Sequence, residues 1–370
     1  MHVSVQLLLL LLGLLAAARG DSPTPRFNVS LDVTPSQRWE PVLRKYDAAQ
    51  LRNYMQQVVR SVVPKWVINV VNQLAPILKY LLPEPYRGEI EGISKFLGVN
   101  LGEGLLINLA YEASGYCTSI VAQDSRGKIY HGRNMDYAFT DILRSTTVDV
   151  QFVCSGQIVY TGTTFLGFVG LWTGQKPNKF SITGNARAKG ARWKDVIATF
   201  LKRNRSPSWV IRDALTEAVD FHAALKRLSY TPITANVYFI LGGVKPNEGV
   251  IITRKLEGPV DIWPLKSTKG QWYRVETNYD HWKPPPPSDD RRTPTIRALN
   301  ATTQKNINLN TLFKVLSIHP VLNKKTVYTT LMCAAQPKDY KTMIRKGSKQ
   351  NNWNFAEINE QKGGYAAVLN

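Results

Sequence analysis

Gly115-Tyr116-Cys117-Thr118-Ser119-Ile120-Val121-Ala122-Gln123-Asp124-Ser125-Arg126-Gly127-Lys128-Ile129-Tyr130-His131-Gly132-Arg133-Asn134-Met135-Asp136-Tyr137 reads as one hairpin. Thr118 to Ala122 has the β-branched content of a buried strand. Asp124-Ser125-Arg126-Gly127 is a turn, with Gly127 free to take positive φ. Lys128 to His131 returns as a second strand. Antiparallel pairing puts the far end of the second strand beside the start of the first. Arg133 and Asp136 then come close to Cys117. Upstream of the hairpin the chain reads mostly helical, and downstream it becomes strand-rich. Strands followed by helices, then strands and helices again, suit two packed sheets covered by helices, an α+β arrangement.

A guanidinium beside a thiol favours the thiolate, which is the nucleophilic form. A carboxylate at the same edge is able to hold a proton or orient an amine. A plainer reading exists for each residue. A single Cys ahead of a strand is commonly a buried apolar side chain. An Arg and an Asp three apart are commonly a surface pair of little energetic value. Spacing alone leaves both readings open.

Further blocks carry a resemblance. Gly115 to Asp124 and Gly132-Arg133-Asn134-Met135-Asp136-Tyr137 are followed by Glu276-Thr277-Asn278-Tyr279-Asp280-His281-Trp282 and by Asp289-Asp290-Arg291-Arg292. In order and spacing these blocks resemble the acid ceramidase family of N-terminal-nucleophile hydrolases, from about Arg38 to about Arg345. The resemblance implies an αββα sandwich of two antiparallel sheets with an N-terminal helical subunit. It implies that the precursor cuts its own Tyr116–Cys117 bond. The products would be an α-subunit, 21–116, and a catalytic β-subunit, 117–346, held together as a heterodimer.

On this resemblance Cys117 is the nucleophile, and its new α-amine is the base. Arg133 should lower the thiol pKa. Asp136 should take the thiol proton before the cut and bond the amine after it. Asn278 is expected to donate to the oxyanion through its side-chain amide, although an Asn at a strand end also suits a turn backbone. Arg291 matches a further active-site position as a positioner, and Tyr137 belongs to the wall or the oxyanion site. Trp172 lines an acyl channel or fills the core. The implied activity is cofactor-free hydrolysis of N-acylethanolamines, such as palmitoylethanolamide, to fatty acid and ethanolamine. Ceramidase action on N-acylsphingosine is the alternative within the class. A lumenal lipid-binding protein with a structural Cys is the alternative outside it. Asp280 and His281 suggest a dyad or a metal pair, but no second His stands at metal-ligand spacing, and no metal is expected. The family carries acidic residues just ahead of the arginine at Arg187, whereas this chain has Asn185 and Ala186.

Met1 to Gly20 reads as a secretory signal. Its apolar run contains six consecutive leucines, Leu7 to Leu12, and Ala18-Arg19-Gly20 places small residues before a cut at Asp21. Three cysteines, Cys117, Cys154 and Cys333, are too few for a disulfide framework. Cys154 and Cys333 are free to pair or not. Asn28 and Asn300 head glycosylation sequons, consistent with a secretory route. With the resemblance, this points to the lysosome. The formal net charge is +20. No zinc-finger, helix-turn-helix or RNA-binding signature accompanies it, so an anionic lysosomal lipid surface is the expected partner and nucleic acid is not.

Asp21 to Gln37 reads as extended, and Pro41 to Val59 as a first helix. Val58 to Leu82 repeats apolar residues at three- and four-residue steps, with Arg60, Lys65 and Lys79 between them. That stripe suits a core-facing helix pair or an interfacial helix with Trp66 at the lipid boundary. Strands are expected at Thr146 to Val153, Gln157 to Thr164, Gly167 to Thr173, Lys179 to Thr183, Thr234 to Gly242, Gly249 to Arg254 and Trp272 to Asn278, with a last one at Thr326 to Cys333. Helices are expected at Lys194 to Arg203, Ser208 to Leu228, Thr293 to Ala298 and Asn310 to Ser317. The tail from Gly347 to Asn370 is expected to be disordered.

Overall fold

The computed structural model describes residues 20–112, 115–187 and 193–346. The apolar run read above as a secretory signal and the tail beyond 346 lie outside the described residues. Fourteen strands are present among those described: β1 Ser22–Pro23, β2 Arg26–Ser30, β3 Tyr116–Gln123, β4 Ile129–Asp136, β5 Thr147–Cys154, β6 Gln157–Phe165, β7 Thr173–Lys176, β8 Phe180–Ala186, β9 Val237–Gly242, β10 Gly249–Arg254, β11 Pro259–Pro264, β12 Tyr273–Glu276, β13 Thr326–Met332 and β14 Lys341–Ile344. One sheet runs β1-β14-β13-β4-β3-β12, and the other β11-β10-β9-β8-β7-β6-β5-β2.

The central hairpin explains how the sheets stack. Successive side chains of a strand point to opposite faces. Ile120 and Ala122 of β3 join Val275, Leu299, Leu312 and Leu316 in a core under the helices Arg292–Asn306 and Leu309–Leu316. Val121 points the other way and packs with Ile129, Tyr238, Ile240 and Ile251 between the two sheets. Helices Pro207–Glu217 and Phe221–Tyr230 cover the outer face of the eight-stranded sheet. The layers are helix, sheet, sheet, helix. The face between the sheets also holds polar groups. His131 Nδ1 lies 2.9 Å from Ser181 Oγ and its Nε2 3.0 Å from Thr183 Oγ1.

Several expectations need correction. β2 pairs with β5 in parallel, so the eight-stranded sheet is mixed and not antiparallel throughout. The segment ahead of Cys117 is not purely helical. It supplies β1 and β2, which are the edge strands of the two different sheets. The first helix is two, Glu40–Leu43 and Ala48–Val62, because Asp47 caps the second by accepting from the Gln50 N–H at 2.6 Å. Asp220 similarly divides Ser208 to Leu228, accepting from the Ala223 N–H at 2.8 Å. Gly167 to Trp172 is a buried loop, not a strand. Gly167 takes φ +87°, and side chains satisfy the loop backbone. Thr164 Oγ1 donates to the carbonyls of Phe168 and Gly170, and Asn108 Oδ1 accepts from the Val169 N–H. The helix Thr140–Thr146 and the strands β11 and β14 were not foreseen. Cys154 is exposed, Cys333 is buried, and both are free.

The Val58 to Leu82 stripe divides in two. Val58, Val63, Val67, Val71, Leu78 and Leu82 are buried, so most of it is core. Trp66, Ile77 and Tyr80 stay exposed, at 41%, 45% and 65%. Among the described residues no helix is long and apolar enough to cross a membrane. Glu89 is buried and bonds Arg38 at 3.0 Å, Trp39 Nε1 at 2.7 Å and both terminal nitrogens of Arg212 at 2.5 and 2.6 Å. Arg212 lies after Cys117 in the chain, so this ion pair joins the two halves.

Burial, and then the Arg133 charge, hold His131 at a pKa of about 3. Its unfolded value is about 6.5. Between those values the unfolded chain binds the extra proton, so this residue removes stability as pH falls from 6.5 towards 3. The loss should be about 2 kcal/mol at pH 5. His131→Gln should flatten the acid limb by that amount, read as the difference between denaturant unfolding free energies at pH 7.5 and pH 5. An unchanged limb would show that the imidazole already carries its proton.

Candidate active site

Cys117 is the second residue of β3 and pairs with Met135 of β4, while Tyr116 pairs with Asp136 and Ser119 with Arg133. The strand runs unbroken through Tyr116 and Cys117. Arg133 lies on the same face as the thiol, two residues from Met135. Its Nη2 donates to Cys117 Sγ at 2.5 Å, and its Nη1 donates to the Trp172 carbonyl at 2.7 Å and Thr173 Oγ1 at 2.9 Å. Three of the residues read from sequence therefore meet. Trp172 serves here through its carbonyl, while its ring packs against Gly184, where a Cβ would come within 2.6 Å of it.

Asp136 is an odd number of residues from Arg133 and leaves the strand on the other face. Its Oδ2 accepts from Asn323 Nδ2 at 3.0 Å and lies 3.6 Å from Arg291 Nη1. Its Oδ1 has no hydrogen-bond partner among the described residues. Burial raises its pKa from the ordinary carboxylate value, against the opposing pull of Arg291. A buried carboxylate with a spare oxygen and raised proton affinity is suited to accepting a proton.

Asn278 stands just beyond β12. Its Oδ1 accepts from the Cys117 N–H at 2.9 Å and from Arg291 Nη2 at 2.7 Å, and its Nδ2 donates to the Ala186 carbonyl at 2.8 Å. Two donors converge on one end and a carbonyl on the other, which fixes the orientation of the amide. In the continuous chain the Nδ2 is taken, and Asn278 holds the nitrogen of the bond expected to break. Arg291 sits at the centre. Its Nη1 donates to the Cys117 carbonyl at 2.6 Å and to Thr118 Oγ1 at 3.2 Å, and Asp289 pairs with its Nε at 2.7 Å. Tyr137 is buried and donates its hydroxyl to the Tyr111 carbonyl, anchoring the helix that leads to Tyr116.

Two opposing effects act on the thiol, and the lowering expected from Arg133 is one of them. Cys117 is 2% exposed, and burial pushes its pKa above the ordinary value. Arg133 opposes this but does not reverse it, and the Asp136 charge adds to the rise. Asp280 and His281 form no dyad. Asp280 pairs with Arg187 at 2.8 Å and accepts from the Tyr238 hydroxyl at 2.7 Å, while His281 stacks on Trp263 with ring centroids 3.9 Å apart. Among the described residues no group of His, Cys, Asp or Glu is placed to hold a metal ion.

Sequence reading missed the support behind the site. Ser119 Oγ donates to Asn185 Oδ1 at 2.8 Å, and Thr183 Oγ1 donates to Ser119 Oγ at 2.9 Å. Asn185 Nδ2 donates to the carbonyls of Glu276 and Thr277, at 3.1 and 3.0 Å. A buried amide on one sheet thus fixes the residues just before Asn278 on the other. The two-residue step from Cys117 to Ser119 was the available signal, since it puts Ser119 on the face of the thiol.

Comparison with known proteins fits this geometry. A family model described as the beta subunit of N-acylethanolamine-hydrolyzing acid amidase matches residues 22–80, and one for linear amide C-N hydrolases of the choloylglycine hydrolase family matches 117–294. The N-acylethanolamine-hydrolyzing acid amidase of Cavia porcellus is 56% identical over 87% of this chain and 90% of its own. The chain belongs to the acid ceramidase family. Within it, the acid ceramidase of Mus musculus is 38% identical over 84% of each chain. A solved Caenorhabditis elegans ortholog of N-acylethanolamine-hydrolyzing acid amidase is 39% identical, with a TM-score of 0.57, covering 62% of this chain and 99% of its own. This family member is an amidase of linear amides. A subunit model confined to 22–80 fits a two-chain arrangement, and its description calls beta the part expected above as the α-subunit.

Asn185 should act through Asn278. Asn185→Leu should lower kcat roughly tenfold, the effect of about 1.4 kcal/mol, with KM within about twofold. Asn185→Asp should recover activity per processed molecule as pH falls, because a protonated carboxyl again donates to a carbonyl. Equal losses in kcat and KM, with no acid recovery, would make Asn185 a packing residue only.

Proposed function

We propose that this amidase hydrolyses N-acylethanolamines to fatty acid and ethanolamine through a thioester on Cys117, after cutting its own Tyr116–Cys117 bond. The observation that carries the reading is that both atoms needed from Cys117 are held: Sγ by Arg133 and N by Asn278. In the self-cut, Sγ attacks the Tyr116 carbonyl carbon and gives its proton to water, with Asp136, on the other face of the strand end, as the base that finally takes a proton up. The C–N bond breaks, the nitrogen takes up a proton, and water cleaves the resulting thioester. That step leaves a Tyr116 carboxylate, a free thiol and a new α-amine on Cys117. In turnover the α-amine takes the thiol proton, Sγ attacks the substrate amide carbon, and ethanolamine leaves before water releases the fatty acid.

Cys117→Ala should give one uncut chain without activity. Wild-type protein should show, by mass spectrometry, a chain beginning at Cys117 that stays with the preceding fragment. Normal cutting of the variant would assign the cut to an outside protease. A substrate panel separates the chemistries, and faster turnover of N-acylsphingosine than of palmitoylethanolamide would replace the ethanolamide reading.

A lysosomal site of action reached through the secretory pathway is part of this proposal. Asn28 and Asn300 are both exposed, as glycosylation there requires. The substrate partitions into lipid, and Trp66, Ile77 and Tyr80 are each exposed, with Lys65 next to Trp66 in the chain and Lys79 over the Tyr80 ring. That composition suits shallow insertion into an anionic bilayer. Trp66→Ser with Tyr80→Ser should weaken binding to anionic vesicles and slow cleavage of bilayer-embedded amide, leaving a short water-soluble amide unaffected. Equal loss on both substrates, with vesicle binding intact, would remove these side chains from the membrane reading.

A further inference from the structure

A cleft of about 530 Å³ opens beside β12, away from the thiol, lined by Trp263, Tyr273, Arg274, His281, Arg292 and Asn300 among others. Its notable member is Arg274, only 4% exposed. Arg274 donates to the carbonyls of Tyr273 and Pro264, at 3.0 and 2.6 Å, and to Gln271 Oε1 at 2.6 Å. Its Nε has no hydrogen-bond partner, and no carboxylate pairs with it among the described residues. Burying a guanidinium without a counter-charge is unfavourable. Burial accordingly pulls its proton affinity below the ordinary value.

Arg254 offers a contrast. It too is buried and bonded to carbonyls, but two of those, Leu228 and Thr231, end the helix Phe221–Tyr230, whose dipole supplies negative charge. The carbonyls on Arg274 belong to strands, which offer no such field. Arg292 faces the same cleft, and among the described residues its terminal nitrogens bond the carbonyls of Asp280 and Lys283. His281 Nδ1 lacks a hydrogen bond, and Asp261, the nearest carboxylate to it, stands 3.9 Å away. Trp263 stacks on His281 and lies 4.4 Å from the Arg274 guanidinium, which holds these groups in place.

We propose that this cleft binds a phosphate ester, whose oxygens Arg274 and Arg292 receive with His281 at the side. Two guanidiniums with no carboxylate bonded to them among the described residues match the several acceptor oxygens of phosphate. The volume exceeds what a bare ion needs and leaves room for the group esterified to it. The source is a soluble phosphate ester or a phospholipid headgroup.

The test uses the full protein, with and without enzymatic removal of N-linked sugar. Inorganic phosphate should raise the thermal midpoint of wild type more than chloride does at equal ionic strength. Arg274→Gln and Arg292→Gln should each weaken the phosphate affinity so measured about tenfold or more. Should Arg274→Gln fail to fold, Arg292→Gln and His281→Gln carry the comparison. Vesicles of phosphatidylcholine with phosphatidic acid separate the sources. Binding that inorganic phosphate displaces in wild type but not in Arg292→Gln assigns the cleft to a headgroup. Vesicle binding indifferent to phosphate and to the substitution, beside a phosphate response that depends on it, assigns the cleft to a soluble ester. No phosphate-specific rise in wild type, or a rise undiminished in the folded variants, overturns the proposal.

Discussion

One guanidinium holds the candidate active site together. Arg291 spans the start of β3, the loop beyond β12 and the head of the helix Arg292–Asn306, and its side chain is 3% exposed. Burial alone would lower its proton affinity, but bonding to Asp289 and the charge of Asp136 more than reverse this. A planar fork with five N–H donors reaches three segments at fixed angles, and an ammonium group does not. The positions of the Cys117 carbonyl and of the Asn278 amide both follow from where this fork lies.

The thiol is set by a contest. Burial favours the neutral form, and Arg133 favours the charged one. In the continuous chain burial wins, and the proton affinity of Cys117 is raised although a cation stands against its sulfur. Other buried carboxyls lean the same way. Burial pushes Glu276 up to about 8 and Glu112 up to about 7. Both would be neutral at acidic pH, and the fold would take up protons there without creating buried charge.

The hairpin was legible because every local signal agreed: β-branched strand residues, an Asp-Ser-Arg-Gly turn and the two-residue alternation that sets Arg133 against Ser119. The sandwich and the residues around the thiol followed from it and from the blocks near Asn278 and Arg291. What sequence did not reveal depends on long-range partners. The two donors that fix the Asn278 amide come from residues 161 and 13 positions away. Asn185 looked like a lost acid, yet it is a bridge whose three partners lie on other strands or just beyond one. The Val58 to Leu82 stripe has one helical period, and periodicity does not say which neighbour covers which side. Gly167 to Trp172 read as a strand because its apolar residues are buried, but Asn108, Thr164 and Arg212 satisfy its backbone instead of a ladder.

The edge strands β1 and β2 have a consequence for the history of the molecule. While the chain is continuous, residues 22–30 are tethered to the sheets they close, and edge pairing is a first-order event. A cut after Tyr116 would leave the same hydrogen bonds and the Glu89–Arg212 pair in place, yet convert their re-formation into a meeting of two molecules. Folding would then be easier before the cut than after it. A mature enzyme unfolded by heat would expose β14 and β5 as open edges, prone to pair with other chains before the lost fragment returned. Such a protein would keep its activity by never unfolding, and its lifetime would be a rate rather than an equilibrium.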